Sequence, residues 1–188
     1  MNKKQSALIW TMVLGLLIVA AGLSFLFGFD NPVSWVLLAL LLMVPLVYRK
    51  IREKDQVVWN DAYSVGVAAL DEDHKELIRL LDKFQTAYDY HTGDEFERAT
   101  LDELVTYTKN HFAHEEGVME EHGYPAFEEH KAKHREMALQ VEGFLQDYEK
   151  RGHEALGELS SFLFRWLIEH IEGTDKEYTQ FLNDKGVF

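Results

Sequence analysis

From about residue 72 onward, apolar residues recur at three- and four-residue intervals through four stretches of roughly twenty residues each. Leu77, Leu80, Leu81 and Phe84 make the first series, and Leu101, Leu104, Val105 and Thr108 the second. Met137, Val141, Phe144 and Leu145 follow, then Leu159, Phe162, Leu163 and Trp166. Turn chemistry separates them at His91-Thr92-Gly93-Asp94, His122-Gly123-Tyr124-Pro125 and Arg151-Gly152-His153. The pattern predicts helices over about 72–90, 94–121, 126–150 and 154–183. Connections this short leave antiparallel neighbours, so the expected fold is all-α, an up-down-up-down four-helix bundle. A polar lead-in, Asp55 to Leu70, precedes it.

The first fifty residues have another character. Ala7 to Phe29 carries no charge, and a helix of that length covers a hydrocarbon core of about 30 Å. Asp30-Asn31-Pro32 breaks the run, with Asn31 placed to cap a new helix and Pro32 at its first position. Val33 to Tyr48 is again uncharged but shorter. Trp10, Trp35 and Tyr48 sit near the ends, where aromatic belts form, and Pro45 should kink or fray the last turn. One reading is a two-helix transmembrane hairpin over 1–54, ahead of the bundle over 55–188. The other is a signal peptide, since Lys3-Lys4 precede the run and Val19-Ala20-Ala21 resembles a weak cleavage site. The run is long for a signal peptide and a second apolar segment follows at once, which favours the hairpin. Lys3 and Lys4 flank one end and Arg49, Lys50, Arg52 and Lys54 the other. The positive-inside rule then expects a multi-pass inner-membrane protein with its bundle in the cytoplasm.

Charge divides the same way. Residues 1–54 carry six Lys/Arg against two acids, and residues 55–188 thirteen against thirty, within a total of −13. So acidic a domain is a poor partner for nucleic acid. The absence of cysteine excludes disulfides, thiolate zinc sites and iron–sulfur clusters.

Each predicted helix of the bundle also carries potential metal ligands. They are His74, His111 with Glu115, His130 with His134, and His170 with Asp175. The middle pairs are four residues apart and share a helix face. His170 and Asp175 are five apart, about 140° around an ideal helix, so the helix should deform near Gly173 or Asp175 should approach from the side. Imidazole and carboxylate together suit iron, and a carboxylate can bridge two metals. These ligands suffice for two octahedral ions only if both carboxylates bridge, a solvent-derived oxygen also bridges and one place stays open. A single histidine on an amphipathic helix is more often a surface or core residue than a ligand. Seven ionisable groups on inward positions are too costly to be packing alone. His91, His122 and His153 fall in turns, and His114 falls off the ligand face. All four are expected at the surface. Ferritin-like bundles need Glu-x-x-His twice, and the chain has none.

From about Val57 to Leu182 the chain resembles the hemerythrins, bacterial ones in particular. The resemblance rests on Val58-Trp59 with Ser64-Val65-Gly66-Val67, on Leu70-Asp71-Glu72-Asp73-His74-Lys75, and on His111-Phe112-Ala113-His114-Glu115-Glu116. His130-Lys131-Ala132-Lys133-His134 and the run from Trp166 to Asp175 complete it. It implies two non-haem irons joined by an oxo or hydroxo bridge. His130, His134 and His170 would hold one iron, His74 and His111 the other, and Glu115 and Asp175 would bridge them. O2 would bind at the two-histidine iron, in a pocket that maps onto Leu77, Phe112, Trp166, Leu167 and Ile171. Those five also read as bundle core. The expected role is reversible O2 binding rather than catalysis, for storage or for delivery to an O2-consuming membrane enzyme. A sensor of oxygen, redox state or nitric oxide acting through the hairpin is the alternative, with enzymatic turnover of peroxide or nitric oxide behind it.

Overall fold

The computed structural model describes the backbone of residues 3–53 and 58–188, and side chains of 8–47 and 58–188. All regular structure among these residues is helical. The chain divides into two compact units, Met1–Gln56 and Val57–Phe188.

In the first unit α1 (Lys3–Phe25) and α2 (Pro32–Glu53) lie side by side. Asn31 caps α2 by accepting the Val33 amide proton at 3.0 Å, and Pro32 takes the first helical position, where no amide is needed. Trp35 Nε1 donates to the Phe29 carbonyl at 2.9 Å, and its ring meets Phe25 edge-on at 5.8 Å. Pro45 is carried within α2. Among the described residues, only α1 has a span long and apolar enough to cross a membrane, Leu8–Phe25; the apolar part of α2, Pro32–Val47, is shorter. The hairpin is therefore helical as expected, while its length supports one candidate span rather than two. The side chains of Lys3, Lys4, Arg49, Lys50, Arg52 and Lys54, and the start of the polar lead-in at Asp55, lie outside the described residues.

The second unit is the bundle: α3 (Ala68–Tyr90), α4 (Asp94–His122), α5 (Phe127–Arg151) and α6 (His153–Glu169), the last continued by a π-helical turn (His170–Asp175) and α7 (Lys176–Asp184). The apolar stripes read from the sequence form one core. Leu70, Leu80, Leu81, Phe84, Leu101, Leu156 and Leu159 are buried there, and each such side chain contributes about 1.5–3 kcal/mol.

Helix α3 begins a turn earlier than predicted. The Asp71 carboxylate reaches back to the lead-in, accepting from Ser64 Oγ at 2.6 Å and the Val65 amide at 2.8 Å. That contact lets the helix start at Ala68. Thr179 Oγ1 of α7 donates to the Val65 carbonyl at 2.8 Å. Gly66 between them has φ +70, and a Cβ there would sit 3.1 Å from both Thr179 and Asn183. Both the backbone and the space require glycine.

Candidate metal centre

The seven residues singled out by the sequence come together inside the bundle. His74 follows Leu70 on the buried stripe of α3, and His111 and Glu115 extend the buried stripe of α4. His130 and His134 open α5 one turn apart, each on its buried face. None of the seven exceeds 5% exposure. The five-residue step is solved by backbone: His170–Asp175 is a π turn, whose i→i+5 bonding brings the two side chains to one face. His170 Nε2 then lies 3.0 Å from Asp175 Oδ1.

Two overlapping groups of ligating atoms result. Glu115, His130, His134 and His170 form one, and His74, His111 and Glu115 the other. Glu115 Oε2 is 3.2 Å from Nε2 of both His130 and His134, and 3.9 Å from His111 Nε2. Asp175 adds to both groups, at 3.0 Å from His170, 3.6 Å from His130 and 3.4 Å from His74. Each carboxylate thus faces imidazoles of the two groups.

The polar bookkeeping fits cations between these atoms. His74 Nδ1 and Nε2, His111 Nδ1 and both Asp175 oxygens are buried with no hydrogen-bond partner. His74 and Asp175 are within ion-pair distance, but not in hydrogen-bond geometry. Nε2 of His134 and Nε2 of His170 face each other at 2.9 Å. Adjacent ligands on one ion, each at about 2.1 Å, are separated by about 3.0 Å. Imidazole with carboxylate is the donor set of first-row metals, iron among them. The residues present fit such ions.

Electrostatics agree. Burial pushes the Glu115 carboxyl up, but hydrogen bonds from His130 and His134 reverse this and hold it well below its usual range. Asp175 is lowered too: burial and the Glu115 charge raise it, and His170 and His74 outweigh them. Burial depresses His170, while in His74 and His134 burial is outweighed by the Asp175 and Glu115 carboxylates, which raise both rings, so a cation entering here would displace protons from them.

Outer partners orient these side chains, as they do in most metal sites. His134 Nδ1 is 3.1 Å from Glu116 Oε1, which fixes the ring with Nε2 inward, and Lys131 holds Glu116 at 3.3 Å. Asp73 lies 3.6 Å from His111 Nδ1 and is itself held by Tyr107 Oη at 3.0 Å and His114 Nδ1 at 2.6 Å. Tyr178 Oη donates to Glu115 Oε1 at 2.6 Å. Sequence reasoning missed Asp73, Glu116 and Tyr178. Tyr178 had a local signal, lying three residues after Asp175 on one helix face.

A cavity of about 20 Å3 adjoins the ligands. That holds one water-sized molecule. Leu77, Phe112, Trp166 and Leu167 line it, beside His111, His170 and Asp175. Ile171, expected in the same pocket, is fully buried in the core but is not part of this lining. Leu81, Leu104, Thr108, Met137 and Leu163 take part without having been anticipated as pocket residues. Phe112 stacks on His134 with centroids 3.7 Å apart, and Trp166 on His170 at 4.2 Å.

The remaining histidines divide. His114 is half-exposed and bonded to Asp73, and His122 Nδ1 pairs with the Val118 carbonyl at 2.8 Å. His91 is exposed in a turn, as expected, with Nδ1 3.7 Å from the buried Glu97 carboxylate, whereas His153 departs from expectation and opens a helix partly buried against the same carboxylate.

Residues 65–182 match the hemerythrin HHE cation binding domain family. A bacteriohemerythrin from Stenotrophomonas maltophilia is 34% identical over 126 residues, 65% of this chain and 78% of the relative. A myohemerythrin from Sipunculus nudus is 27% identical over 66% of this chain and 92% of its own length. A crystal structure of wild-type hemerythrin superposes with a TM-score of 0.58 at 27% identity, over 67% of this chain and 97% of that one.

Proposed function

The chain belongs to the hemerythrin family, and we propose that its buried histidines and carboxylates hold two non-haem irons that bind O2 reversibly. The observation that carries this is one arrangement: two ligand groups share Glu115 and Asp175 beside a cavity sized for one small molecule. His130, His134 and His170 would hold one iron and His74 and His111 the other, with Glu115 and Asp175 available to both. A ferrous pair supplies two electrons and an open coordination place for O2.

The protein's own groups do the rest. Leu77, Phe112, Trp166 and Leu167 wall the cavity with apolar surface and exclude water. Glu116 keeps Nε2 of His134 turned inward. Tyr178 holds one oxygen of Glu115, leaving the other toward the imidazoles. No group in the cavity lining beyond the ligands is an acid or a base, which favours carriage over catalysis.

Residues 1–54 are assigned as a membrane hairpin and 55–188 as the di-iron bundle. Leu8, Met12, Leu16, Val19 and Leu23 of α1 are exposed, as are Val33, Trp35, Val36, Leu40 and Leu42 of α2. So large an apolar surface needs a non-aqueous cover, and a lipid bilayer provides one. The basic flanks put the bundle at the cytoplasmic face of the inner membrane. There it would store O2 or deliver it to an O2-consuming membrane enzyme.

The decisive experiment is oxygen cycling of the detergent-solubilised full chain with iron analysis. The expected result is two irons per chain and a colour that bleaches under argon and returns in air. Colour that fails to return over repeated cycles overturns carriage. Protease digestion of inverted and right-side-out vesicles tests topology, and a bundle cleaved only in right-side-out vesicles overturns the cytoplasmic placement.

A further inference from the structure

Three side chains from three elements meet at the end of the bundle opposite residues 58–67. His91 caps the C-terminus of α3 in a left-handed conformation, with φ 48. Glu97 lies in the first turn of α4 and has no exposure. His153 opens α6 directly after Gly152, whose φ is 59. His153 Nδ1 is 3.0 Å from each Glu97 oxygen, and His91 Nδ1 is 3.7 Å from Oε1. The two imidazole rings stand 80° apart with centroids at 4.0 Å. One ligating atom from each of the three lies within 4.8 Å of the others.

The arrangement is supported from outside. Tyr88 stacks on His153 at 4.8 Å. Tyr88 is in turn fitted to Gly157, where a Cβ would come within 2.5 Å of its hydroxyl. Its ring therefore fixes the His153 plane. Glu97 is the unusual member. A fully buried carboxylate is costly unless paired, and among the described residues its ion-pair partners are these two histidines, with no Lys or Arg.

We propose that His91, Glu97 and His153 form a third metal site, separate from the iron centre, for a borderline divalent cation such as Zn2+. Two imidazoles and a carboxylate are a donor set that such an ion takes. A tetrahedral ion with ligands at about 2.1 Å separates them by about 3.4 Å, and the 3.0 Å from His153 to Glu97 and 3.7 Å from His91 to Glu97 bracket that spacing. His91, with its side chain 46% exposed, leaves an open side for water to complete the shell. His74 lies in the second turn of α3 and His91 caps its far end, about 26 Å apart at helical rise, so the site is separate from the proposed iron centre. An ion there would tie the α3–α4 turn to the α5–α6 turn.

The test is calorimetric titration of the untagged, iron-loaded full chain with Zn2+, with iron content measured in the same samples. The wild type should take up one Zn2+ per chain at constant iron and melt at a higher temperature with the ion bound. His91→Asn keeps a residue tolerant of the left-handed backbone and sits at the surface, so it should fold. It should weaken Zn2+ binding by more than about tenfold, the smallest loss expected when even an outer partner of a ligand is removed, and abolish the rise in melting temperature. His153→Gln should act alike. No uptake at constant iron, or equal uptake by wild type and His91→Asn, would overturn the site and leave a plain His–Glu ion pair.

Discussion

Tyr178 donates its hydroxyl proton to Glu115 Oε1 at 2.6 Å, and neither side chain has any exposure to solvent. Burial and the Glu115 charge push the phenol well above its ordinary pKa, so it remains a donor. One oxygen of the central carboxylate is thus fixed by α7 while the other faces His130 and His134. Tyr178→Phe leaves the ring in place and removes this bond. The expected cost is about 1.5–3 kcal/mol, as for a hydrogen bond to a charged group. Denaturant unfolding measures it, and a chelator should strip iron faster from the variant. Unchanged stability and release rate would show that the bond supports neither.

Glu115→Ala and His114→Ala separate the two faces of α4. Glu115 touches both ligand groups, so its loss should release iron and abolish colour. His114 is half-exposed and, among the described residues, reaches Asp73, which Tyr107 also holds, so His114→Ala should keep iron and colour. Iron analysis with visible spectra reads both. Equal iron loss in the two variants would contradict the assigned ligand face.

Glu116 supports His134 from outside the ligand set. Glu116→Ala frees the His134 ring to turn, and iron affinity should fall about 10–100-fold, the usual cost of losing an outer partner. The fold should survive, because the Lys131 pair lost with it is partly exposed and worth little. Glu116→Gln keeps an acceptor for Nδ1 and should restore most of the affinity. Competition with a chelator of known strength distinguishes them. A Gln variant as weak as the Ala variant would point to charge rather than orientation.

Leu77 is buried in the core and lines the small cavity. Leu77→Ala should cost about 2–5 kcal/mol and enlarge the cavity beyond one water-sized molecule, opening its apolar wall to solvent. Iron content should hold while the oxygenated colour decays faster, measured as a first-order loss in air. Leu139→Ala, at a 62% exposed position, serves as the control and should change neither property. Equal colour lifetimes in the two variants would remove the water-excluding role.

Much of the bundle and the inward clustering of its histidines and carboxylates could be read locally. Apolar spacing marks a helix face, and His130 with His134 or His111 with Glu115 share one by spacing alone. The mismatch between His170 and Asp175 even announced a backbone deformation, which the π turn at His170–Asp175 provides. Two apolar segments are visible in sequence, and among the described residues only Leu8–Phe25 reaches spanning length and hydropathy.

The sequence by itself determined what each helix presents, because side-chain direction along a helix follows from local periodicity. It placed the imidazoles and carboxylates on inward faces and marked the turns. Only the tertiary structure decided which faces meet. Tyr178 reaches Glu115 across 63 residues, and His114 reaches Asp73 across 41. His153 looked like a solvated turn residue because its partner, Glu97, is 56 residues away. Such contacts depend on helix–helix registry, which packing of the whole core sets and no local spacing encodes.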